Sequence, residues 1–269
     1  MEKFDRRYIF LAILLVVLVP LLAPLGLPIR VSREVQSAYD AVAGIPDGSK
    51  VYFAADYDPG SMPELHPMSL ATLDHLFSKN CKVIGACLWP AGPPLLEDAL
   101  KRIGEERFGK KYGVDFVNLG YKPGNEVAMV SVGRSIRATF PTDFYGTPID
   151  SLEVMRGVDR MTDLAILVNI SAGYPGTKEW VQQVQSRYHI EVVAGCTAVS
   201  APEYYPYFQS GQLAGLMGGL AGAAEYEILV GKPGTATRGM DAQSLGHLAI
   251  IAFIVLGNVL YFTSKKKTP

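Results

Sequence analysis

The densest group of chemically able side chains lies in DYDPGSMPELH, residues 56–66, which holds Asp56, Asp58, Glu64 and His66. Carboxylates beside an imidazole can hold a divalent cation or pass protons between acid and base forms. Asp56, Asp58 and His66 are therefore the candidate catalytic residues, and Asp56, Asp58, Glu64 and His66 the candidate metal ligands. Their spacing fits neither an EF-hand loop nor an HExxH helix, and Asp-Pro-Gly is also ordinary turn vocabulary. His75 and His189 read as structural, one on a helix and one leading a strand.

Further candidates come from two loops that echo each other. The chain reads NLGYKPGNE over Asn118–Glu126 and NISAGYPGTKE over Asn169–Glu179. Each has Gly-Tyr, then Pro-Gly, then Asn or Thr as a helix cap, then Glu in the first turn. Glycine permits the sharp strand-to-helix turn, and a helix start offers free N–H groups and a positive dipole end to an anion. Gly120, Tyr121, Gly124 and Asn125 in the first loop, and Gly173, Tyr174, Gly176 and Thr177 in the second, are the candidate ligand-binding residues. The alternative is turn chemistry alone, because Glu126 and Glu179 already complement the dipole. Neither loop is GxGxxG or a P-loop ending in GK[ST], so nucleotide binding is not indicated and no cofactor is expected.

The three cysteines, Cys81, Cys87 and Cys196, include no CxxC pair and suggest neither a zinc motif nor a disulfide framework. Cys87 and Cys196 both fall near the carboxyl ends of strands and read as buried free thiols. No GxSxG elbow marks a nucleophilic serine.

These residues need a scaffold, and the middle of the chain supplies one. KVYFAAD, KVIGACLW, VDFVNLGY, LAILVNIS and IEVVAGCTAV are short apolar runs, as strands buried on both faces require. Between them SREVQSAYDAVA, SLATLDHLFSKN, PLLEDALKRIGEERF, NEVAMVSVGRSI and TKEWVQQVQSRY have helical spacing. The fold class is therefore α/β: a doubly wound, mainly parallel five-stranded sheet, flavodoxin-like or Rossmann-like in order. In such sheets the ligand crevice lies at the carboxyl ends of the strands, which selects Asp56, Asp58, Trp89, Tyr121, Ser171 and Thr197 with their loops.

Hydrophobic residues make up 49% of the 269, and the excess sits at the two ends. Tyr8–Ile29 is uncharged and long enough for a bilayer core of about 30 Å. Leu245–Phe262 is a second such run, followed by Lys265, Lys266 and Lys267. The positive-inside rule puts that tail in the cytoplasm, and Lys3, Arg6 and Arg7 precede the first run. The reading is an N-terminal transmembrane anchor over 1–30, an extracytoplasmic α/β domain over 31–231, a linker over 232–243, and a C-terminal transmembrane helix with a basic cytoplasmic tail over 244–269. The expected location is the cytoplasmic (inner) membrane, as a multi-pass protein. A cleaved signal peptide is the alternative for the first run. With a net charge of −1, no nucleic-acid partner is expected.

SGQLAGLMGGLAGAAEYE, residues 210–227, reads as the last helix of the domain. Gly211, Gly215, Gly219 and Ala223 would then share one face. Each glycine costs about 1 kcal/mol against alanine in a helix, so only a closely packed partner could sustain it. That partner is the sheet, another copy of the chain, or another membrane-protein subunit. The architecture resembles that of membrane-tethered sensing modules, and in architecture only. The expected function is a double-anchored, non-enzymatic assembly or ligand-sensing subunit of a membrane complex. The alternative is a membrane-bound hydrolase or transferase using Asp56, Asp58 and His66, with or without a metal.

Overall fold

A computed structural model describes residues 6–265 and divides the chain into two units, residues 29–236 and residues 1–28 with 237–269. The larger unit opens with α2 (Arg33–Gly44), which follows the apolar α1 (Arg6–Leu22). It continues through β1 (Lys50–Asp56), α3 (Met62–Ser78), β2 (Lys82–Cys87) and α4 (Gly92–Ala99, prolonged by a π-helical turn to Arg107). Next come β3 (Phe116–Tyr121), α5 (Asn125–Arg134), α6 (Ile136–Thr139), β4 (Ile166–Ser171), α7 (Thr177–Trp180, prolonged to Gln185) and α8 (Ser186–Tyr188). The last elements are β5 (Glu191–Cys196), α9 (Ala201–Gln209), β6 (Gly215–Gly218), α10 (Gly219–Leu229) and α11 (Thr235–Lys265).

The sheet has six strands in the order β3-β2-β1-β4-β5-β6, and every neighbouring pair is parallel. Parallel pairs need a crossover, which the intervening helices provide. On one face Tyr52 and Ala54 of β1, Ile84 of β2 and Val192 of β5 join a core with Met129 and Val132 of α5 and with Trp180. On the other, Gly85 faces Leu96 of α4, Gly195 faces Met68 of α3 and Gly215 faces Ala38 of α2. Both faces are covered, which is why the strands read as continuous apolar runs.

Three expectations change. First, the sheet has six strands rather than five, and the stretch 210–227 is not one helix. Gly211 lies in a turn, Gly215 in β6, Gly219 opens α10 and Ala223 lies inside it, so the four do not share a helix face. Gly219 has φ +62°, a left-handed conformation that separates strand from helix. Close packing does occur, at β6: a side chain at Gly215 would collide with the backbone of Ala38 in α2. Second, α3 begins at Met62, so Glu64 and His66 lie in a helix rather than a loop. Pro63 falls in its first turn, where no intrahelical N–H bond is lost. Third, the linker over 232–243 shrinks, because α11 is already helical from Thr235.

Among the described residues one helix, over Thr235–Thr263, is long and apolar enough to cross a membrane by length and composition. The first apolar run is shorter as a helix than as a sequence, ending at Leu22. Pro24 and Pro28 explain the stop, since the residue before a proline is pushed out of helical geometry. Two flanking transmembrane helices thus reduce to one candidate span and a shorter apolar helix. Beyond α1 the successive main-chain N–H groups of Leu25, Gly26 and Leu27 donate to the carboxylate of Asp241 at 2.9, 3.0 and 3.1 Å. Asp241 is buried in α11, and the three N–H groups form a small anion-holding nest around it. Lys3, Lys266 and Lys267 of the basic ends lie outside the described residues.

Candidate functional site

The winding reverses between β1 and β4, where a doubly wound sheet opens its crevice. Asp56 ends β1 directly opposite Ser171, which ends β4. Here that position is filled by the protein itself. Asp56 is fully buried and accepts hydrogen bonds from Trp180 Nε1 at 2.8 Å, Asn169 Nδ2 at 3.0 Å and the Leu88 main-chain N–H at 2.7 Å. Burial pushes its carboxyl up to about 7, while the three donors pull it the other way. The amide oxygen of Asn169 accepts from Thr177 Oγ1 at 2.9 Å, and Thr177 N–H donates to Ser171 Oγ at 3.2 Å. Trp89 Nε1 donates to the Pro175 carbonyl at 2.9 Å. A carboxylate, a side-chain amide, two hydroxyls and two indoles are thereby satisfied internally.

The other acidic-loop candidates turn to separate partners. Asp58 accepts from the Ser61 main-chain N–H at 3.1 Å, closing a turn, and Glu64 accepts from the Ala198 N–H at 2.8 Å. His66 is buried, with Nδ1 3.0 Å from Tyr57 Oη and Nε2 3.0 Å from Asp98 Oδ2. Tyr57 Oη in turn lies 3.0 Å from Ser69 Oγ. Burial lowers the His66 pKa, against the pull of Asp98. This carboxylate–imidazole–phenol chain has the parts for proton transfer, but Tyr57 and Ser69 have no exposed surface. Among the described residues no group of three or more His, Cys, Asp or Glu is placed to hold a metal ion.

The two echoing loops share one buried feature. Each begins with a buried asparagine in an otherwise apolar strand. Asn118 accepts from the Gly120 N–H at 2.9 Å and donates to Glu97 and to the Pro93 carbonyl. Asn169 instead accepts from the Thr177 hydroxyl and donates to Asp56, which ties the second loop to β1. The helix caps are Gly124 and Gly176, while Asn125 and Thr177 are the first helical residues. The Gly176 N–H donates to Glu179 Oε2 at 2.9 Å, and a side chain there would run into the Gly173 carbonyl. In the second loop Gly173 and Tyr174 border a smaller hollow of about 200 Å³.

The first loop is open. Gly120 and Tyr121 line a cleft of about 510 Å³ at the carboxyl end of β3, together with Pro90, Pro93, Phe140 and Phe144. That volume is typical of small-molecule sites. Lys122 and Thr139 belong both to this cleft and to a hollow of about 330 Å³ beside it, which Arg134 also lines. The cleft wall at residues 140–144 is fixed by Asp143, which accepts from Tyr112 Oη at 3.0 Å and from the N–H groups of Tyr145 and Thr147 at 2.9 and 2.8 Å. Sequence reading missed this wall because the segment has no periodicity. It also missed Trp180, Asn169 and Asp98, although an asparagine inside an apolar strand is a readable signal.

His75 is buried as well, stacked on Tyr39 with Nδ1 2.9 Å from Tyr226 Oη, and burial lowers its pKa to about 4. His189 takes a left-handed conformation at φ +54° just before β5. Thr197 pairs with Ser200 at the end of β5. All three cysteines are free and buried, Cys87 and Cys196 on strands separated by β1 and β4, and burial pushes each thiol up. No protein-family model, curated protein or solved structure matches the chain.

Proposed function

We propose that the chain is a non-enzymatic module, held to a membrane by its apolar ends, that serves as an assembly or ligand-sensing subunit and uses the cleft over β3 as its binding face. One observation carries the reading: the chemically able groups at the carboxyl ends of the strands are consumed by internal hydrogen bonds, while the first Gly-Tyr loop stays open over about 510 Å³. The apolar helix over Thr235–Thr263 supports the anchoring. An inner-membrane location with the α/β unit facing out belongs to the same proposal, as does assembly with further copies or other subunits.

Native mass spectrometry of the full chain, purified in mild detergent, tests this. The wild type and Asp58→Ala should retain the same bound small molecule, and the double variant Tyr121→Ala/Phe144→Ala should lose it at unchanged melting temperature. The competing reading, a hydrolase or transferase, draws on the Tyr57–His66–Asp98 chain. Loss of cellular function in Asp58→Ala or Asp98→Asn, with folding and membrane retention intact, would overturn the non-enzymatic reading.

A further inference from the structure

The open cleft has a distinctive lining that specifies a ligand chemistry. Its lining is mixed: Pro90, Pro93, Leu119, Phe140 and Phe144 supply apolar surface, and Lys122, Thr139, Thr142 and Asp143 supply polar groups. The flat, rigid prolines and phenyl rings suit a planar apolar body, because they lose little conformational freedom on contact. The cleft adjoins the hollow shared through Lys122 and Thr139. Lys122 and Arg134 both line that hollow.

The charges around them are already committed. Asp143, in the cleft wall, is buried and takes three hydrogen bonds from Tyr112, Tyr145 and Thr147. Arg137 is engaged by Asp150 and by main-chain carbonyls of Met155 and Val158. Asp159, next to the hollow, receives Ser135 Oγ at 2.6 Å. The Ser131 and Thr139 hydroxyls donate to carbonyls of their own helices at 2.8 and 2.7 Å. Every carboxylate named here is satisfied inside the fold, whereas none of these ion pairs or hydrogen bonds includes the side chain of Lys122 or Arg134.

We infer that the cleft binds a small organic anion, with its flat apolar body against the prolines and phenyl rings and its carboxylate or other acidic head between Lys122 and Arg134. The inference rests on the cleft being the binding face and adds the class of ligand. An arginine and a lysine lining one hollow beside the cleft recognise an acidic group by charge-assisted hydrogen bonds. The site selects the anion over its neutral counterpart by charge and accepts both by shape.

A matched pair of probes tests it: indole-3-acetate and its neutral amide, indole-3-acetamide, titrated calorimetrically into the full chain in uncharged detergent. The acid should bind at least about tenfold more tightly than the amide, as two partly exposed ionic contacts allow. Lys122→Gln/Arg134→Gln should erase that preference, leaving the amide's affinity and the melting temperature as they were. Phe144→Ala should weaken both probes together. Equal binding of acid and amide, or a preference that survives the double glutamine variant, overturns the anion class and leaves the cleft standing as a binding face. Binding of neither probe, from a chain that by native mass spectrometry carries a neutral molecule lost in Tyr121→Ala/Phe144→Ala, also overturns the class. Binding of neither, with no molecule retained at all, overturns the cleft and the class together.

Discussion

Replacing Asp56 by asparagine isolates the group at the turning point of the sheet. Both carboxyl oxygens accept N–H groups, Oδ1 from Leu88 and Oδ2 from Asn169 and Trp180. An amide can accept on one side only, so at least one buried donor meets another donor. An unsatisfied buried donor costs about 1–3 kcal/mol, and Asp56→Asn should lose that much stability at pH 5. The size of the loss then depends on pH. In the unfolded chain an aspartate ionises near pH 4, whereas in the fold burial holds Asp56 at about 7. Between those values the unfolded state gives up a proton that the folded state keeps, so rising pH favours unfolding. This contribution to stability is fully present below about pH 4 and lost as pH climbs toward 7, which removes about 2–3 kcal/mol between pH 5 and 8. The variant has no such group, so the gap between it and the wild type should close by that amount over the same range. Guanidinium unfolding of the full chain in detergent, followed by fluorescence of Trp89 and Trp180, gives both curves at each pH. A gap that stays constant, or widens with pH, would mean that the three N–H donors outweigh burial and keep the group ionised even at pH 5.

Trp180→Phe removes one of those donors; it should cost about 1–3 kcal/mol and shift the pH range of the Asp56 effect upward, read from the same unfolding curves. Gly215→Val forces α2 away from β6 and should lower the unfolding midpoint by the equivalent of about 1–3 kcal/mol, whereas Gly173→Val, at a glycine with open space around it, should not. Asp241→Ala strips the acceptor from three successive N–H groups; hydrogen exchange by mass spectrometry should show Leu25–Leu27 losing protection, and unchanged protection would refute the clamp. None of the three buried cysteines should react quickly with Ellman's reagent in the native chain, and all should react once it is denatured.

Local signals located much of the scaffold. β1 matches KVYFAAD end to end, and the helical run of α7 and α8 matches TKEWVQQVQSRY. Strands buried on both faces advertise themselves by unbroken apolar character, and helix starts by their turn chemistry. What stayed hidden depends on partners far along the chain. Asp56 looked catalytic because its strand-end position is local, while the Trp180 that occupies it lies 124 residues away. β6 was hidden because four residues, two of them glycine, carry almost no strand preference; the strand exists through pairing with β5 and the close approach of α2. Asp98 looked like an ordinary surface charge paired with Arg102, and its tie to His66 spans 32 residues. The cleft is the extreme case, since its walls come from the β2–α4 connection, the end of β3 and an aperiodic segment.

The clamp at Asp241 also sets an order of events. Leu25–Leu27 precede Asp241 by 214 to 216 positions and are made before it. Three amide N–H groups that follow an apolar helix must therefore wait without this acceptor while the whole α/β unit is made. N-terminal folding proceeds without them, and their capture registers the arrival of α11. A chain truncated before Asp241 would keep all six strands of the sheet and lose the fastening, so the join records that synthesis has passed the start of α11.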